Sequence, residues 1–377
     1  MKICLINNLY PPYHRGGGAE QITQIMKQGL EEMNHKVIVI TCKPYFIKFD
    51  KQPDVYHISS LYPNLNKIPK YLRLFWHIFH LIGLYKSIKI NNIINKEKCD
   101  LVVSHNLEGL NYLTPRFIKP KHIHIIHDIQ LLHPSGLMYY GHENIINTFY
   151  AKIYQAICRS CFKKTDLIIS PSAWLLKLHQ KHGLFNKKTL IMRNPQLNVQ
   201  TKNKENNAQF TFLSVGQIEE HKGVPLLIKA FSKLKKTHNL DCKLVVIGGG
   251  SKLEELKNND CEFLGKMTNQ KVNELMQKAD CLIVPSLCYE NSPTIIFEAM
   301  NNNLPVMASK IGGIPEILDY NPYLLFEPDN LDKLSVKMYW AVTNPEKLKK
   351  EFEQVRQKIK PISVKEYFEK IKKELIN

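Results

Sequence analysis

The sequence predicts an α/β protein built from two successive, doubly wound parallel-sheet domains. Three observations carry this. The 377 residues exceed what one ordinary hydrophobic core organises. A strand–loop–helix–strand pattern begins at Lys2 and begins again at Phe210. That unit implies parallel pairing, because a helix must carry the chain back before the next strand starts. Between the two runs, residues 196–209 are polar and aperiodic and read as a linker.

The first domain, residues 1–195, opens with a strand at Lys2–Asn7. The glycine-rich turn Arg15-Gly16-Gly17-Gly18-Ala19-Glu20 follows, then a helix to about Met33 and a strand at Lys36–Thr41. Further apolar strands read at 101–104, 122–126, 166–170 and 189–192. The second domain, residues 210–360, repeats the pattern. It has a strand at Phe210–Gly216, a loop ending Lys222-Gly223, a helix at Val224–Lys235 and a strand at Lys243–Gly248. Short buried runs follow at 262–264, 281–285 and 305–308. The tail, 361–377, holds Val364, Tyr367, Phe368 and Ile371 at helical spacing and is expected to pack back on the first domain.

Composition limits the function classes. A hydrophobic content of 44% is that of a globular protein. No apolar run reaches the roughly 18 residues that span a bilayer. The apolar start Ile3–Ile6 is too short for a secretion signal, so the expected place is the cytoplasm. Nine cysteines, mostly in apolar contexts, fit reduced thiols, and the Cys158–Cys161 spacing lacks the companions of a redox or metal motif. The net charge of +18 is segregated: residues 1–195 carry +15 and the remainder +3. Such a half is suited to approach something anionic.

The most informative stretch is Asp280–Met300. An apolar strand ends at Pro285-Ser286, a short loop carries Glu290, and Ser292 is expected to cap a helix starting at Pro293. Glu298 then lies about two turns into that helix. Two carboxylates arrive at the C-terminal end of a buried strand, where open α/β sheets bind ligands. Ionised carboxylates accept from neighbouring hydroxyls, and a helix start can meet a phosphate; a nucleotide sugar offers both.

Taken in order, these segments resemble the retaining glycosyltransferases of family 4, which have the GT-B architecture. The matching pieces are Gly16–Glu20, Ser104-His105-Asn106, Ile126-His127-Asp128, Ile169–Ser172, Val215-Gly216 with Lys222-Gly223, Phe263–Gly265, Glu290 with Glu298, and Ile311–Glu316. They span nearly the whole chain. The resemblance implies two Rossmann-like domains facing a central cleft. It gives the donor sugar's hydroxyls to Glu290 and the ribose hydroxyls to Glu298. The backbone at Asn291 and Ser292 is set to meet sugar or phosphate oxygens. Lys222 is assigned to the diphosphate, where a fixed cation stabilises charge as the sugar–phosphate bond breaks. Gly216 and Gln217 border the same site; the family often has an arginine where this chain has Gln217, which leaves a neutral donor there. Gly17 and Gly18 let backbone approach donor phosphate or acceptor, with Glu20 orienting the loop. His127 is placed at the reacting face, and His105, Asn106 and Asp128 at the acceptor side.

The expected enzyme is a retaining hexosyltransferase that moves sugar from a nucleotide-sugar donor to a glycan or lipid-linked acceptor, in cell-surface polysaccharide or lipopolysaccharide synthesis. There is no Asp-x-Asp, so neither metal nor other cofactor is expected. Residues 67–89 are basic and aromatic. They read either as an interfacial helix on anionic lipid at the inner membrane face or as a helix packed on its own domain. A sugar-nucleotide epimerase or hydrolase, and a basic nucleic-acid-binding protein, are the rival readings. The second lacks any recognition module, so no nucleic-acid partner is expected.

Overall fold

The computed structural model describes residues 1–12, 17–46, 52–69, 76, 83–186, 188–196, 209–256, 260–359 and 361–376. Arg15 and Gly16 of the glycine-rich turn, residues 197–208 of the linker, and 70–75 and 77–82 of the basic aromatic segment lie outside them. The chain forms two compact units. Unit 1 takes residues 1–137, 144–197 and 362–377, and unit 2 takes 138–143 and 198–361.

Unit 1 is built on a seven-stranded sheet with order β3-β2-β1-β4-β5-β6-β7. Its strands are β1 (Lys2–Ile6), β2 (Lys36–Lys43), β3 (Val55–Ser59), β4 (Leu101–Ser104), β5 (Lys121–Ile125), β6 (Leu167–Ser170) and β7 (Thr189–Ile191). Every pairing is parallel. The central strands are apolar on both faces because helices cover both, and Ile3 to Ile6 are all fully buried. The sequence did not reveal β3. Among the described residues it pairs only with β2, and its residues Val55-Tyr56-His57-Ile58-Ser59 lack the continuous apolar run of an inner strand.

The tail helix Val364–Ile376 belongs to unit 1. Val364, Tyr367, Phe368 and Ile371 are buried in the same core as Ile22, Met26 and Leu30 of the helix Gly18–Glu32. The two helices approach so closely at Gly29 that a Cβ there would lie 2.5 Å from Val364 Cβ. Cys158 and Cys161 sit buried and free in the helix Phe149–Cys161. Burial pushes the Cys161 thiol up to about 11, which makes it a poor redox nucleophile at neutral pH.

Of the basic aromatic segment, Trp76 is stacked on Tyr62 at 6.3 Å between ring centroids and packs with Leu9 and Leu65. Leu84, Tyr85 and Ile88 open the helix Leu84–Lys96 and are half or more exposed. No helix among the described residues is long and apolar enough to cross a membrane.

Unit 2 carries a six-stranded sheet, order β10-β9-β8-β11-β12-β13, again all parallel. The strands are β8 (Phe210–Val215), β9 (Cys242–Ile247), β10 (Cys261–Gly265), β11 (Cys281–Val284), β12 (Val306–Ser309) and β13 (Leu325–Phe326). In both units the first strand of the unit lies beside the fourth: β1 beside β4, and β8 beside β11. The winding reverses there, which opens a crevice at the C-terminal strand ends. One piece of unit 2 is borrowed. Residues 138–143 lie far away in sequence, yet Tyr139 forms an antiparallel bridge with Cys288.

Candidate active site

In unit 2 the loops after β8 and β11 are locked together by backbone. The β8 loop closes in a single turn, Glu220–Lys222, that ends at Gly223. The His221 carbonyl accepts from the Leu287 and Cys288 N–H groups at 3.0 and 3.1 Å. Gly223 has φ +70°, and a Cβ there would stand 1.8 Å from the Pro285 carbonyl oxygen. Both facts demand glycine. We expect Gly223→Ala to destabilise unit 2 by about 3 kcal/mol through the left-handed backbone and the clash. A thermal melt reads this directly, and an unchanged transition would show that the two loops can part freely.

The same packing fixes Glu290. Its carbonyl accepts from Gly313 N–H at 2.8 Å. Gly312, at φ +61°, leaves no room for a Cβ, which would lie 2.1 Å from that carbonyl oxygen. This explains the Ile311-Gly312-Gly313 run: it seats the loop that carries the carboxylate. The Glu290 side chain turns inward. Its Oε1 accepts from Lys222 Nζ at 2.5 Å and from Ser286 Oγ at 3.1 Å. The Lys222 and Glu290 side chains are 32% and 17% exposed, so the pair is largely shielded from water. Burial alone would raise the Glu290 carboxyl, but the Lys222 ammonium and the two hydrogen bonds outweigh it and hold the carboxyl below its ordinary range. Lys222 responds in the opposite sense. Burial works against its charge, and Glu290 more than restores it, so its pKa is raised.

The sequence treated Glu290 and Lys222 as separate contacts, one for sugar and one for phosphate. They are one ion pair. Gly216 and Gln217 are exposed at the end of β8. Asn291 is buried, and Glu298 is half-buried in the helix Thr294–Asn301.

Pro293, not Ser292, occupies the N-cap position, with φ −60° and ψ 119°, and Pro293 itself makes no side-chain cap hydrogen bond. The Ser292 hydroxyl is buried with no hydrogen-bond partner among the described residues. The helix therefore starts one residue later than expected, and Glu298 lies just over one turn into it rather than two.

Two supports escaped the sequence. Ser286 was read only as a strand end, although a serine four residues before a buried glutamate is a usable signal. Glu143 gave none, because its partner is remote in the chain. It accepts from Tyr289 O–H at 2.7 Å and from Gly141 N–H at 2.9 Å, bracing the residue before Glu290.

In unit 1 the ends of β4 and β5 bring His127, predicted at the reacting face, and the predicted acceptor-side residues into two rungs. His105 Nδ1 lies 2.8 Å from His127 Nε2, and Asn106 Nδ2 donates to Asp128 Oδ2 at 3.4 Å. Asp128 Oδ1 also accepts from Gln130 N–H at 2.7 Å. Burial raises the Asp128 carboxyl to about 6, despite these two hydrogen bonds. His105 was expected to wall the acceptor site. It is fully buried and lies against His127 instead, so it offers no surface to an acceptor. Gly17 precedes the helix Gly18–Glu32 with φ −80°, a backbone open to any residue, so special conformational freedom is not what this position uses. Glu20 stands near it: a Cβ on Gly17 would be 3.4 Å from Glu20 Oε1. Among the described residues no group of three or more His, Cys, Asp or Glu side chains is arranged to hold a metal.

Known proteins share this organisation. Residues 16–195 match the family described as Glycosyltransferase Family 4, and residues 196–358 match Glycosyl transferases group 1. A 42.6 kDa protein from the cps region of Klebsiella pneumoniae is 26% identical over 362 residues, covering 92% of this chain and 95% of that one. The lipopolysaccharide 1,2-N-acetylglucosaminetransferase of Salmonella typhimurium is 31% identical over 192 residues, covering 46% of this chain and 49% of that protein. Anabaena HepE, crystallised with UDP-glucose, superimposes with a TM-score of 0.71 at 15% identity, covering 100% of this chain and 99% of that one. Two parallel-sheet α/β units wound in this order have the GT-B fold of glycosyltransferases. The chain belongs to the family 4, group 1 glycosyltransferases, whose two family descriptions between them take in nearly all of it.

Proposed function

We propose that this enzyme is a retaining, nucleotide-sugar-dependent transferase that acts without a metal and extends a surface glycan on a lipid-linked acceptor. The observation that carries the reading is the shielded Lys222–Glu290 pair at the switch point of unit 2. A lysine held there by a carboxylate is pre-oriented, and a diphosphate can draw on its charge as the sugar leaves. Glu290 then takes the sugar hydroxyls, Glu298 the ribose, and the exposed Gly216-Gln217 turn borders the phosphates. In the retaining step the bond from the anomeric carbon to phosphate oxygen breaks. The acceptor oxygen bonds to that carbon on the same face, and its proton passes to the departing phosphate. His127 serves as a hydrogen-bond donor to the sugar and is not the base.

Two features support the acceptor assignment. The Salmonella relative is named for lipopolysaccharide, and the first half of this chain carries +15. The exposed Leu84, Tyr85 and Ile88 add apolar surface to that half. We place the enzyme at the cytoplasmic face of the membrane, bound peripherally. Pelleting with anionic liposomes that salt reverses is the expected result; no pelleting at low salt removes the placement.

A thermal-shift panel of UDP-, GDP- and ADP-sugars tests the donor class, since a bound donor raises the transition. NMR of the product's anomeric configuration tests retention. We expect Lys222→Ala to weaken UDP binding by about 10- to 100-fold in calorimetry, the worth of a charge-assisted contact to phosphate. Unchanged affinity would return Lys222 to a purely structural role.

A further inference from the structure

We propose that His105 is a positioning residue that sets the tautomer of His127: the buried ring donates its Nδ1–H to His127 Nε2, so that His127 carries its own proton on Nδ1 and presents a donor there. This rests on the reading of His127 as a sugar-facing residue.

The geometry comes from adjacent strands. β4 and β5 run parallel with Ser104 opposite His124, and each chain continues past its strand to bring His105 against His127. The rings lie 21° apart in plane with centroids 5.1 Å apart. His105 is fully buried, and the cavity it lines with Asn106, His127, Asp128 and Gln130 holds only about 10 Å³. No substrate fits there, so His105 acts only through its neighbour. Burial holds both imidazoles neutral at pH 7: His127 is lowered to about 4, and His105 well below its ordinary value by burial and then by His127. A hydrogen bond between two neutral imidazoles uses one proton, so one ring must accept.

The direction follows from the far side of His105. Its Nε2 is buried and meets no hydrogen-bond partner among the described residues. A proton on that atom would be an orphaned N–H, the rarer and more costly defect; a bare lone pair is tolerated better. The proton therefore sits on Nδ1, facing His127. The consequence is chemical. His127 Nε2 is occupied as an acceptor and cannot collect a proton, whereas its Nδ1–H is fixed as a donor. Which nitrogen bears the proton is set by the bond the other one makes.

The test is long-range ¹H–¹⁵N NMR of the full-length chain labelled with ¹⁵N-histidine, at pH 7.5 without substrate. A His127→Gln variant supplies the assignment. We expect the wild-type protein to show His127 as the Nδ1–H tautomer. In His105→Leu the His127 Nε2 resonance should move from the unprotonated to the protonated range. In His105→Asn, whose amide N–H₂ can stand in for Nδ1–H, the Nδ1–H tautomer should return. A wild-type His127 protonated on Nε2, or a tautomer indifferent to His105→Leu, overturns the proposal. If the leucine variant does not fold, the wild-type and asparagine spectra still decide. Because no donor or acceptor is added, the outcome is independent of whether the transferase reading of His127 holds.

Discussion

Glu290→Gln is expected to lower transfer by about 10²- to 10³-fold, the scale of removing one preorganised polar contact in an active site. The substitution keeps the shape and the capacity to accept from Lys222 and Ser286, so the loop should stay seated by the Gly313 N–H and by Gly312. The loss is one of charge. The carboxylate can no longer bind sugar hydroxyls as an anion, and Lys222 is left without its counter-ion. These two losses act in opposite directions on different parts of the donor. UDP alone should bind as tightly as before or tighter, because the ammonium is released from Glu290 to meet phosphate. The intact sugar nucleotide should turn over slowly. The stability cost is about 1 kcal/mol, since one charge-assisted bond becomes a neutral one. Calorimetry with UDP and a transfer assay separate the effects. Near-full activity would sink the assignment of Glu290 to the donor sugar. Loss of both UDP binding and the folded transition would instead make the pair structural.

The architecture was legible because its signals are local. Buried parallel strands read as short apolar runs, and Ile3–Ile6, Val37–Ile40 and Cys281–Val284 all declare themselves. The place of Glu290 was legible too, in the loop that follows the buried strand β11. Three things were hidden, each for a physical reason. The Lys222–Glu290 bond joins residues 68 apart and depends on two loops meeting through the His221 carbonyl. The strand-like segment at Tyr139 has meaning only against Cys288. The burial of His105 depends on the turn after β5 that brings His127 against it, because the polar tripeptide Ser104-His105-Asn106 by itself looks like surface. The misplaced cap at Ser292 is a smaller case. Serine before proline satisfies the capping preference, yet an extended Pro293 delays the first helical residue by one.

Unit 1 is expected to unfold well before unit 2 as pH falls from 7 to 5, because it buries neutral histidines. His122, His127 and His179 are lowered to about 3, about 4 and about 4, in each case chiefly by burial. The hydrogen bonds fit neutral rings: Ser104 Oγ lies between His122 Nε2 and His124 Nδ1 at 2.7 and 2.9 Å, and His179 Nδ1 sits 2.9 Å from the Leu175 carbonyl. In the unfolded chain each ring takes a proton near pH 6.5. Below that pH the unfolded state holds more protons than the folded one, so stability falls with falling pH until the folded pKa is reached. Down to pH 5 each of the three costs about 2 kcal/mol, or about 6 together. His105 and His124 are shifted the same way and add to it. Asp128 opposes them, since its carboxyl is raised to about 6 and binds its proton earlier when folded, returning about 1 kcal/mol. A net loss of this size is comparable to the whole stability of a typical domain. Unit 2 holds only His142, His221 and His238 of the fifteen histidines, and none of these is fully buried. Limited proteolysis at pH 5 should therefore cut within residues 1–137 or 144–197 while 209–359 survives. The His179→Gln variant should flatten the pH dependence of the melt by about one proton's worth, ~1.4 kcal/mol per pH unit. Equal protease resistance of the two units at pH 5 would show that the buried rings are protonated in the folded state after all.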